Sequence, residues 1–218
     1  MNKTESKENC IIVGAGTYGQ IYAQYLKEDY DVVGFIDDNP KIVNTEIDGI
    51  EVLGDSEFLF RELDRTLSVF APIGNNEARV YLLKRLMETG FKTPNYIHAQ
   101  THIHDSVIIG KCVYILPGTC IMPLTVVEDF VLISMGVNIA HHTTIGEGSF
   151  LSQGTDIGAG IELKKNVFCG IGSTVMTGVT EVGEGALIGA AAAVIKNVPD
   201  RAVVVGNPGK VIKYRQCS

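Results

Sequence analysis

The feature that most limits how this chain can fold is an aliphatic residue that recurs at every sixth position. From Ile97 onward the row contains Ile103, Ile109, Ile115, Ile121, Val127, Ile133, Ile139, Ile145, Leu151, Ile157 and Leu163. Cys169 and Val175 continue the row, and after a one-residue insertion near Thr180 and Glu181 it resumes at Val182, Ile188 and Val194. The positions four further on are small or β-branched, as at Val107 and Thr155.

A period of six fits neither a helix nor a simple strand. A helix of 3.6 residues per turn would scatter these side chains around its circumference, and strand alternation has a period of two. A hexad repeat predicts a parallel β-helix, in which each six-residue face contributes one inward aliphatic residue and one small corner residue. Three faces close a coil, so the repeat gives between five and six coils, a prism about 25 Å tall at strand spacing. A β-sandwich is disfavoured because its strands vary in length and seldom keep register.

The first 95 residues have a different pattern. "CIIVGAGTYGQIYAQYL" predicts a strand, a glycine turn and a helix, and "DVVGFIDD" and "SVFAPIGNN" predict two further strands. "EARVYLLKRLMETG" predicts an amphipathic helix that ends at Gly90. Because strands and helices alternate, we expect a small parallel α/β sheet. The sequence thus predicts two domains, an α/β domain over residues 1–95 and a β-helix with a C-terminal tail over residues 96–218.

The glycine turn suggests a phosphate site, although this signal is weak by itself. Gly14, Gly16 and Gly19 match G-x-G-x-x-G, in which glycine lets the backbone approach a phosphate at a helix N-terminus. Asp37 and Asp38 follow the second strand, where an acid could hold the ribose of a nicotinamide cofactor. However, the domain is only half of a two-fold dinucleotide fold, which argues against a dehydrogenase. The two acids also fit a plain turn after a strand.

Charge and composition exclude several classes of partner. The net charge is −7 and there is no basic tract, so we expect no binding to nucleic acid or to anionic membranes. The N-terminus has no apolar signal core and no segment has the length of a membrane span. The five cysteines form no CxxC pair, which predicts reduced thiols in a cytoplasmic protein.

Three histidines lie close together in the sequence, at His98, His102 and His104. In a prism of hexads, His98 and His104 occupy equivalent positions on successive faces and so lie on different sides. We therefore expect no metal site there.

Several stretches resemble a known family. "IIGKCV", "TIGEGS" and "EVGEGALIGAAAAV" are similar to the repeat of left-handed β-helix acyltransferases, and "VPDRAVVVGNPGKVIK" resembles their usual ending, with Gly209 where the family carries Ala. The resemblance implies a left-handed coil, whereas the usual crossover rule favours the right hand. With "GAGTYG", "FIDDNP", "IGNNEAR" and "YIHAQTHI", the chain from about Cys10 to Lys213 resembles bacterial nucleotide-sugar N-acetyltransferases of the PglD/NeuD-like family. Sialic-acid O-acetyltransferases share this layout.

The resemblance implies a nucleotide-sugar site in the first domain. Backbone amides suit phosphates, and carboxylates suit the hydroxyl and N–H groups of a sugar or base. The family often has His in the glycine turn where this chain has Tyr18, so the identity of the sugar stays open. The residues that the resemblance places at this site are Gly14, Ala15, Gly16, Asp37, Asp38, Gly74 and Asn75.

The resemblance also implies a catalytic base in "NIAHHTTIG", at His141. Transfer of an acetyl group to a sugar amine requires the amine to lose a proton, and the ordinary pKa of histidine, about 6.5, suits that step. In many relatives an acid follows the base, but here the next residue is His142, which can orient His141 if it is neutral. A further family histidine, which assists at the acetyl carbonyl, corresponds to Phe150. An acid from elsewhere or a different acyl group stays open.

On the acyl-donor side, the resemblance implies backbone N–H donors for the oxyanion at Ala159 and Gly160, one coil beyond His141. The smooth ladder from Gly170 to Ala193 would accommodate a pantetheine arm, and Lys196 and Lys210 are candidates for the CoA phosphates.

The expected assembly is a homotrimer with the site shared between neighbouring chains. The expected function is acetyl-CoA-dependent N-acetylation of a nucleotide-linked sugar, of the 4-amino-deoxy class, in surface glycan biosynthesis. O-acetylation of a sialic-acid-type sugar and a non-catalytic protein that binds nucleotide sugars are the alternatives.

Overall fold

The computed structural model describes residues 7–216. The chain divides between Pro94 and Asn95 into two compact units. Cys10, Cys112, Cys120 and Cys169 are free thiols, and Cys217 lies outside the described residues. Burial raises the pKa of both the Cys10 and Cys169 thiols to about 12, so neither supplies a thiolate near neutral pH.

The N-terminal unit is a five-stranded sheet with helices. Its sheet order is β3-β4-β2-β1-β5, parallel except for the β3–β4 hairpin. The elements are β1 (Glu8–Val13), α1 (Thr17–Leu26), β2 (Tyr30–Ile36), β3 (Glu46–Ile47), β4 (Ile50–Gly54), α2 (Ser56–Glu62), β5 (Ser68–Phe70) and α3 (Asn76–Glu88). The sequence analysis did not predict β3, β4 or α2, which have two, five and seven residues.

The second unit is a three-sided parallel β-helix of two-residue strands, which confirms the fold predicted from the hexads. Face 1 contains β6 (Tyr96–Ile97), β9 (Tyr114–Ile115), β12 (Leu132–Ile133), β15 (Phe150–Leu151), β18 (Phe168–Cys169) and β21 (Leu187–Ile188), followed by β23 (Ala202–Val205) and the antiparallel β24 (Lys210–Tyr214). Face 2 contains β7 (His102–Ile103), β10 (Cys120–Ile121), β13 (Asn138–Ile139), β16 (Asp156–Ile157), β19 (Thr174–Val175) and β22 (Ala193–Val194). Face 3 contains β8 (Ile108–Ile109), β11 (Val126–Val127), β14 (Thr144–Ile145), β17 (Glu162–Leu163) and β20 (Glu181–Val182).

The strand register explains the period in the sequence. Ile121, Ile139 and Ile157 pair with one another across successive coils, and so do the other members of the aliphatic row. The inserted residue appears as a change of pairing interval, because Leu163 pairs with Val182. From Ile115 onward the row forms one buried core down the middle of the prism.

The corners explain both the small residues and the glycine content. The Thr143 and Ser149 hydroxyls donate to the carbonyls of Gly158 and Lys164 on the next coil, at 2.9 and 3.1 Å, so a polar side chain is satisfied inside the prism. From Cys112 to Ala191 the last residue of each corner adopts a positive φ, which glycine tolerates best. His142 occupies such a position, with φ 58°.

Candidate functional site

In the N-terminal unit, three loops meet at the carboxyl edge of the sheet. They follow β1, β2 and β5, which are neighbours and parallel. The Ala15 N–H donates to Asp37 Oδ2 at 2.8 Å, which joins the first loop to the second. A Cβ built on Gly14 would lie 3.8 Å from Ile73 Cγ1, so the third loop is close as well. Parallel α/β sheets bind their ligands outside this edge.

The two acids at this edge are bonded to backbone groups. Asp37 accepts the N–H groups of Ala15 and Asn39, the latter at 2.9 Å, and Asp38 Oδ1 accepts the Ser56 N–H at 2.8 Å. Asp37 therefore holds two loops in place, and the Ala15 N–H already has an acceptor within the chain. The turn interpretation accounts for Asp37. Its carboxylate fixes the conformation of the loops, and this role matters more to a ligand than direct contact with Asp37.

The loop after β5 is shaped by a buried arginine. Arg79 is fully buried and donates to the Ile73 carbonyl at 2.7 Å and to Asn76 Oδ1 at 3.0 Å. Asn75 caps helix α3 by accepting the Ala78 N–H at 3.0 Å. Gly74 and Asn75 are both exposed at the start of this helix. The family resemblance named Gly74 and Asn75, but the sequence analysis missed Arg79, although an arginine on the apolar side of an amphipathic helix is a recognisable signal.

In the β-helix, one edge carries most of the residues that the sequence singled out. Between faces 2 and 3, the residue two positions after each inward residue lies on a column that we call the histidine edge. Because Ile103, Ile121, Ile139, Ile157, Val175 and Val194 are in register, the column is Asp105, Pro123, His141, Ala159, Thr177 and Lys196. Ala159 is thus one coil from His141, and Lys196 is three coils away, roughly 14 Å.

The two histidines form a hydrogen-bonded pair. Their Nδ1 atoms are 2.9 Å apart and their rings are nearly perpendicular. Both side chains are exposed at the corner. The main chain of His141 is fixed from the next coil, because the Gly160 N–H donates to the His141 carbonyl at 3.0 Å.

This pairing links the proton positions of the two rings. Of two facing Nδ1 atoms, one must carry the proton and the other must accept it. If His141 donates, its Nε2 keeps a lone pair and can act as a base. If His142 donates, a neutral His141 carries its proton on Nε2 and has no basic nitrogen exposed. A neutral His142 protonated on Nε2 therefore selects the reactive tautomer of His141.

The predicted oxyanion donors differ in their existing bonds. The Gly158 and Gly160 N–H groups donate to the Val175 and His141 carbonyls, at 2.8 and 3.0 Å. The Ala159 N–H instead donates to the Thr177 hydroxyl, at 3.2 Å. Gly160 is therefore part of the coil-to-coil backbone bonding, while the Ala159 N–H is bonded to a side chain.

A cavity of about 360 Å³ lies on face 2 beside the histidine edge. Ala140 and Gly158, which flank His141 and Ala159 in the chain, form part of its wall. A polar pair stands within this mainly apolar surface, because the Asn138 amide donates to Asp156 at 2.8 Å. The sequence analysis missed these residues, although they occupy the outward position just before each inward residue of face 2. The other lining side chains include Met122, Thr174, Met176 and Thr177.

The two candidate lysines lie towards the last coils. Lys196 is on the histidine edge, and Lys210 begins β24 next to Gly209, whose N–H donates to the Ala193 carbonyl at 2.7 Å. A Cβ at Gly209 would lie 2.9 Å from Val204 Cγ1 and 3.0 Å from the Ala193 oxygen, so glycine fits this close approach. Both lysine side chains are exposed.

Phe150, at the position of a family histidine, belongs to face 1. It is buried and packs edge-to-face on Phe168 at 5.2 Å between ring centroids. It therefore contributes to packing and has no proton to transfer.

Among residues 7–216, no group of three or more His, Cys, Asp or Glu side chains is arranged to hold a metal ion. No helix in that range is both long and apolar enough to cross a membrane.

Comparison with known proteins finds relatives of both parts of the chain. Residues 9–86 match the family model of the PglD N-terminal domain. The chain is 28% identical over 215 residues to GDP-perosamine N-acetyltransferase of Escherichia coli O157:H7, which covers 93% of this chain and 95% of that enzyme. It is also 34% identical over 113 residues to a serine acetyltransferase of Buchnera aphidicola, but the match spans only 40% of that enzyme.

A solved structure agrees with these matches. A histidine-to-alanine variant of GDP-perosamine N-acetyltransferase from Caulobacter crescentus, in complex with CoA and GDP-perosamine, superposes with a TM-score of 0.87 and 25% identity. The superposition covers 94% of this chain and 97% of that one. The shared fold is an α/β domain followed by a left-handed β-helix, which confirms the predicted hand. Residues 9–86 therefore form a PglD N-terminal domain, and the whole chain resembles GDP-perosamine N-acetyltransferases in sequence and fold.

Proposed function

We propose that this protein transfers the acetyl group of acetyl-CoA to an amino group on a nucleotide-linked sugar. The observation that carries the proposal is the His141–His142 pair, 2.9 Å apart on an exposed edge beside a cavity. The pair can leave a basic nitrogen on His141, as amine acylation requires. Two relatives that align over most of the chain are named as N-acetyltransferases of GDP-perosamine, and one was crystallised with both CoA and that sugar nucleotide.

In this proposal His141 Nε2 takes the proton of the attacking amine. Its Nδ1–H continues to donate to His142 Nδ1, which stabilises the positive charge that His141 acquires. His142 thereby replaces the acid found in many relatives, provided that it stays neutral. His141 then returns the proton to the departing CoA thiolate, so the enzyme ends in its starting state.

The face 2 cavity and the histidine edge suit a CoA thioester. The cavity is apolar apart from Asn138, Asp156 and its threonines, which fits an arm that alternates methylene and amide groups. Lys196 lies three coils from His141 on the same edge, and Lys210 lies next to the last strand of face 2. Both are proposed to contact the CoA phosphates, and Ala159 to lie beside the acyl oxygen.

We assign the nucleotide sugar to the carboxyl edge of the N-terminal sheet, at Gly14, Ala15, Gly16, Asp37, Asp38, Gly74 and Asn75. The bond from Ala15 to Asp37 sets the conformation of the glycine turn.

Replacement of Asp37 by Ala is expected to raise the KM for the nucleotide sugar by about tenfold or more, since a charge-assisted bond contributes roughly 1.5–3 kcal/mol. The KM for acetyl-CoA should not change. Steady-state kinetics with each substrate varied in turn measures both values. Asp29→Ala is the matched control, because Asp29 is exposed at the opposite end of β2. Equal changes in both variants would contradict the assignment of this edge.

We also propose that three chains assemble around a threefold axis. Apolar side chains remain exposed along both edges of face 2, a pattern typical of interfaces. They are Met122, Met135, Ile171, Met176 and Ile195, between 42% and 59% exposed.

Sedimentation velocity is expected to give a species of three times the 23.5 kDa chain mass. Met176→Asp, which places a charge in this apolar surface, should shift the protein towards monomer and lower its activity. An active wild-type monomer would contradict the shared site.

The experiment that tests the proposed function measures CoA release from acetyl-CoA with UDP-, GDP- and dTDP-linked amino sugars. Each amino sugar is paired with the hydroxyl sugar that has the same configuration. Release with an amino sugar and not with its hydroxyl partner is the expected result. Release with the hydroxyl sugars alone would favour O-acetylation, and release with neither would favour a binding protein.

A further inference from the structure

The coil above Ala159 carries a further residue that faces the cavity, Thr177. Thr177 lies on the histidine edge, because Val175 pairs with Ile157 in register. Its side chain is exposed and forms part of the face 2 cavity wall. It therefore faces the same space as Ala140 and Gly158, which flank His141 and Ala159.

The Thr177 hydroxyl accepts the N–H of Ala159, the predicted oxyanion donor that takes no part in the coil-to-coil backbone bonding. Of the three amides from Gly158 to Gly160, only that of Ala159 donates to a side chain, at 3.2 Å from Thr177 Oγ1. A hydroxyl has one proton to donate and two lone pairs. Once the Ala159 N–H occupies a lone pair, the hydroxyl proton remains available, and a donor bonded to the oxygen polarises that O–H bond.

Close packing fixes where this hydroxyl stands. A Cβ on Gly158 would lie 2.4 Å from the Thr177 nitrogen and 2.7 Å from Oγ1. The absence of a side chain at Gly158 thus allows Thr177 to approach the corner from above. The hydroxyl is placed against the 158–160 segment without being buried.

We propose that Thr177 is a catalytic residue whose hydroxyl donates a hydrogen bond to the acyl oxygen in the tetrahedral intermediate. This inference rests on the proposed acyl transfer. As the amine nitrogen bonds to the acyl carbon, the carbonyl electron pair moves to oxygen and the Thr177 O–H stabilises that charge. The pair returns when the carbon–sulfur bond breaks, and the thiolate receives the proton carried by His141. Thr177 itself neither gains nor loses a proton.

The test compares Thr177→Val and Thr177→Ser with the wild type, using the amino sugar that is turned over best. Valine keeps the shape and removes the hydroxyl, so kcat should fall roughly 100-fold, the effect of losing one oxyanion donor. The KM for acetyl-CoA should stay within about twofold, because the lost bond forms mainly in the transition state. Thr177→Ser should keep kcat within a few-fold of the wild type.

Thr180→Val is the matched control. Its hydroxyl is also exposed and accepts an amide N–H, from Asn197 at 2.8 Å, but it does not line the cavity. This variant should keep the wild-type kcat. Thermal unfolding of each variant shows whether the fold is retained.

Several results would overturn the inference while leaving the proposed function intact. These are an unchanged or increased kcat in Thr177→Val, a loss no larger than that of Thr180→Val, a rise in KM alone, or an equal loss in Thr177→Ser. A wild-type protein that acylates no amino sugar would instead remove the proposed function and this inference with it.

Discussion

Replacement of His141 by Ala is expected to lower kcat with the amino sugar by about 10³-fold, within the range for loss of a general base. The KM for acetyl-CoA should change little, because the cavity on face 2 is built from other side chains. His142→Ala should cost less, about tenfold, since it removes the acceptor that selects the His141 tautomer but leaves the base itself. Steady-state kinetics on both variants checks this order.

His102→Ala serves as a control for histidine loss, because His102 is exposed on the first strand of face 2, two coils below the pair. Equal activity of His141→Ala and the wild type would remove His141 as the base. A larger loss in His142→Ala than in His141→Ala would reverse the two roles.

Replacement of Gly158 by Ala is expected to lower kcat by about 100-fold, comparable to displacing reacting groups by about 1 Å. The added Cβ would meet the backbone nitrogen of Thr177 at 2.4 Å, so the two coils must separate beside His141 and Ala159. Strain of this kind costs about 1–3 kcal/mol of folding free energy. Kinetics and thermal unfolding together measure the two effects.

Gly146→Ala is the matched control, because its Cβ would meet the Leu163 carbonyl at 2.6 Å at another corner of the same prism. Both variants should lose similar stability, but Gly146→Ala should keep its kcat within a few-fold. If the two variants lose kcat equally, the effect belongs to the prism in general and the histidine edge has no special role.

The fold was predictable because its signal repeats. Each residue of the row from Ile97 to Val194 repeats the same steric requirement on another face, so seventeen weak signals combine into one strong pattern. The register then follows by counting, and the insertion near Thr180 is visible in the sequence before it is seen as the Leu163–Val182 pairing. The short hairpin of β3 and β4 offers no such repetition, and it was missed.

The site was only partly predictable. Counting hexads places His141 and Ala159 on one edge, and family resemblance suggests their roles. The direction of the Ala159 N–H bond, the Nδ1–Nδ1 pairing and the bond between Asp37 and Ala15 depend on individual torsion angles, which no periodic pattern encodes. Thr177 has the same type of side chain as many corner residues, so only its position identifies it.

The most direct test of sugar N-acetylation is identification of the bond formed in the product. The protein is incubated with acetyl-CoA labelled with ¹³C in the acetyl carbonyl and with the nucleotide-linked amino sugar that releases most CoA. Carbon NMR should show the label in an amide attached to the sugar nitrogen, and His141→Ala should not form this product. Label found in a sugar ester, or in free acetate without a sugar product, would contradict N-acetylation of a nucleotide-linked sugar.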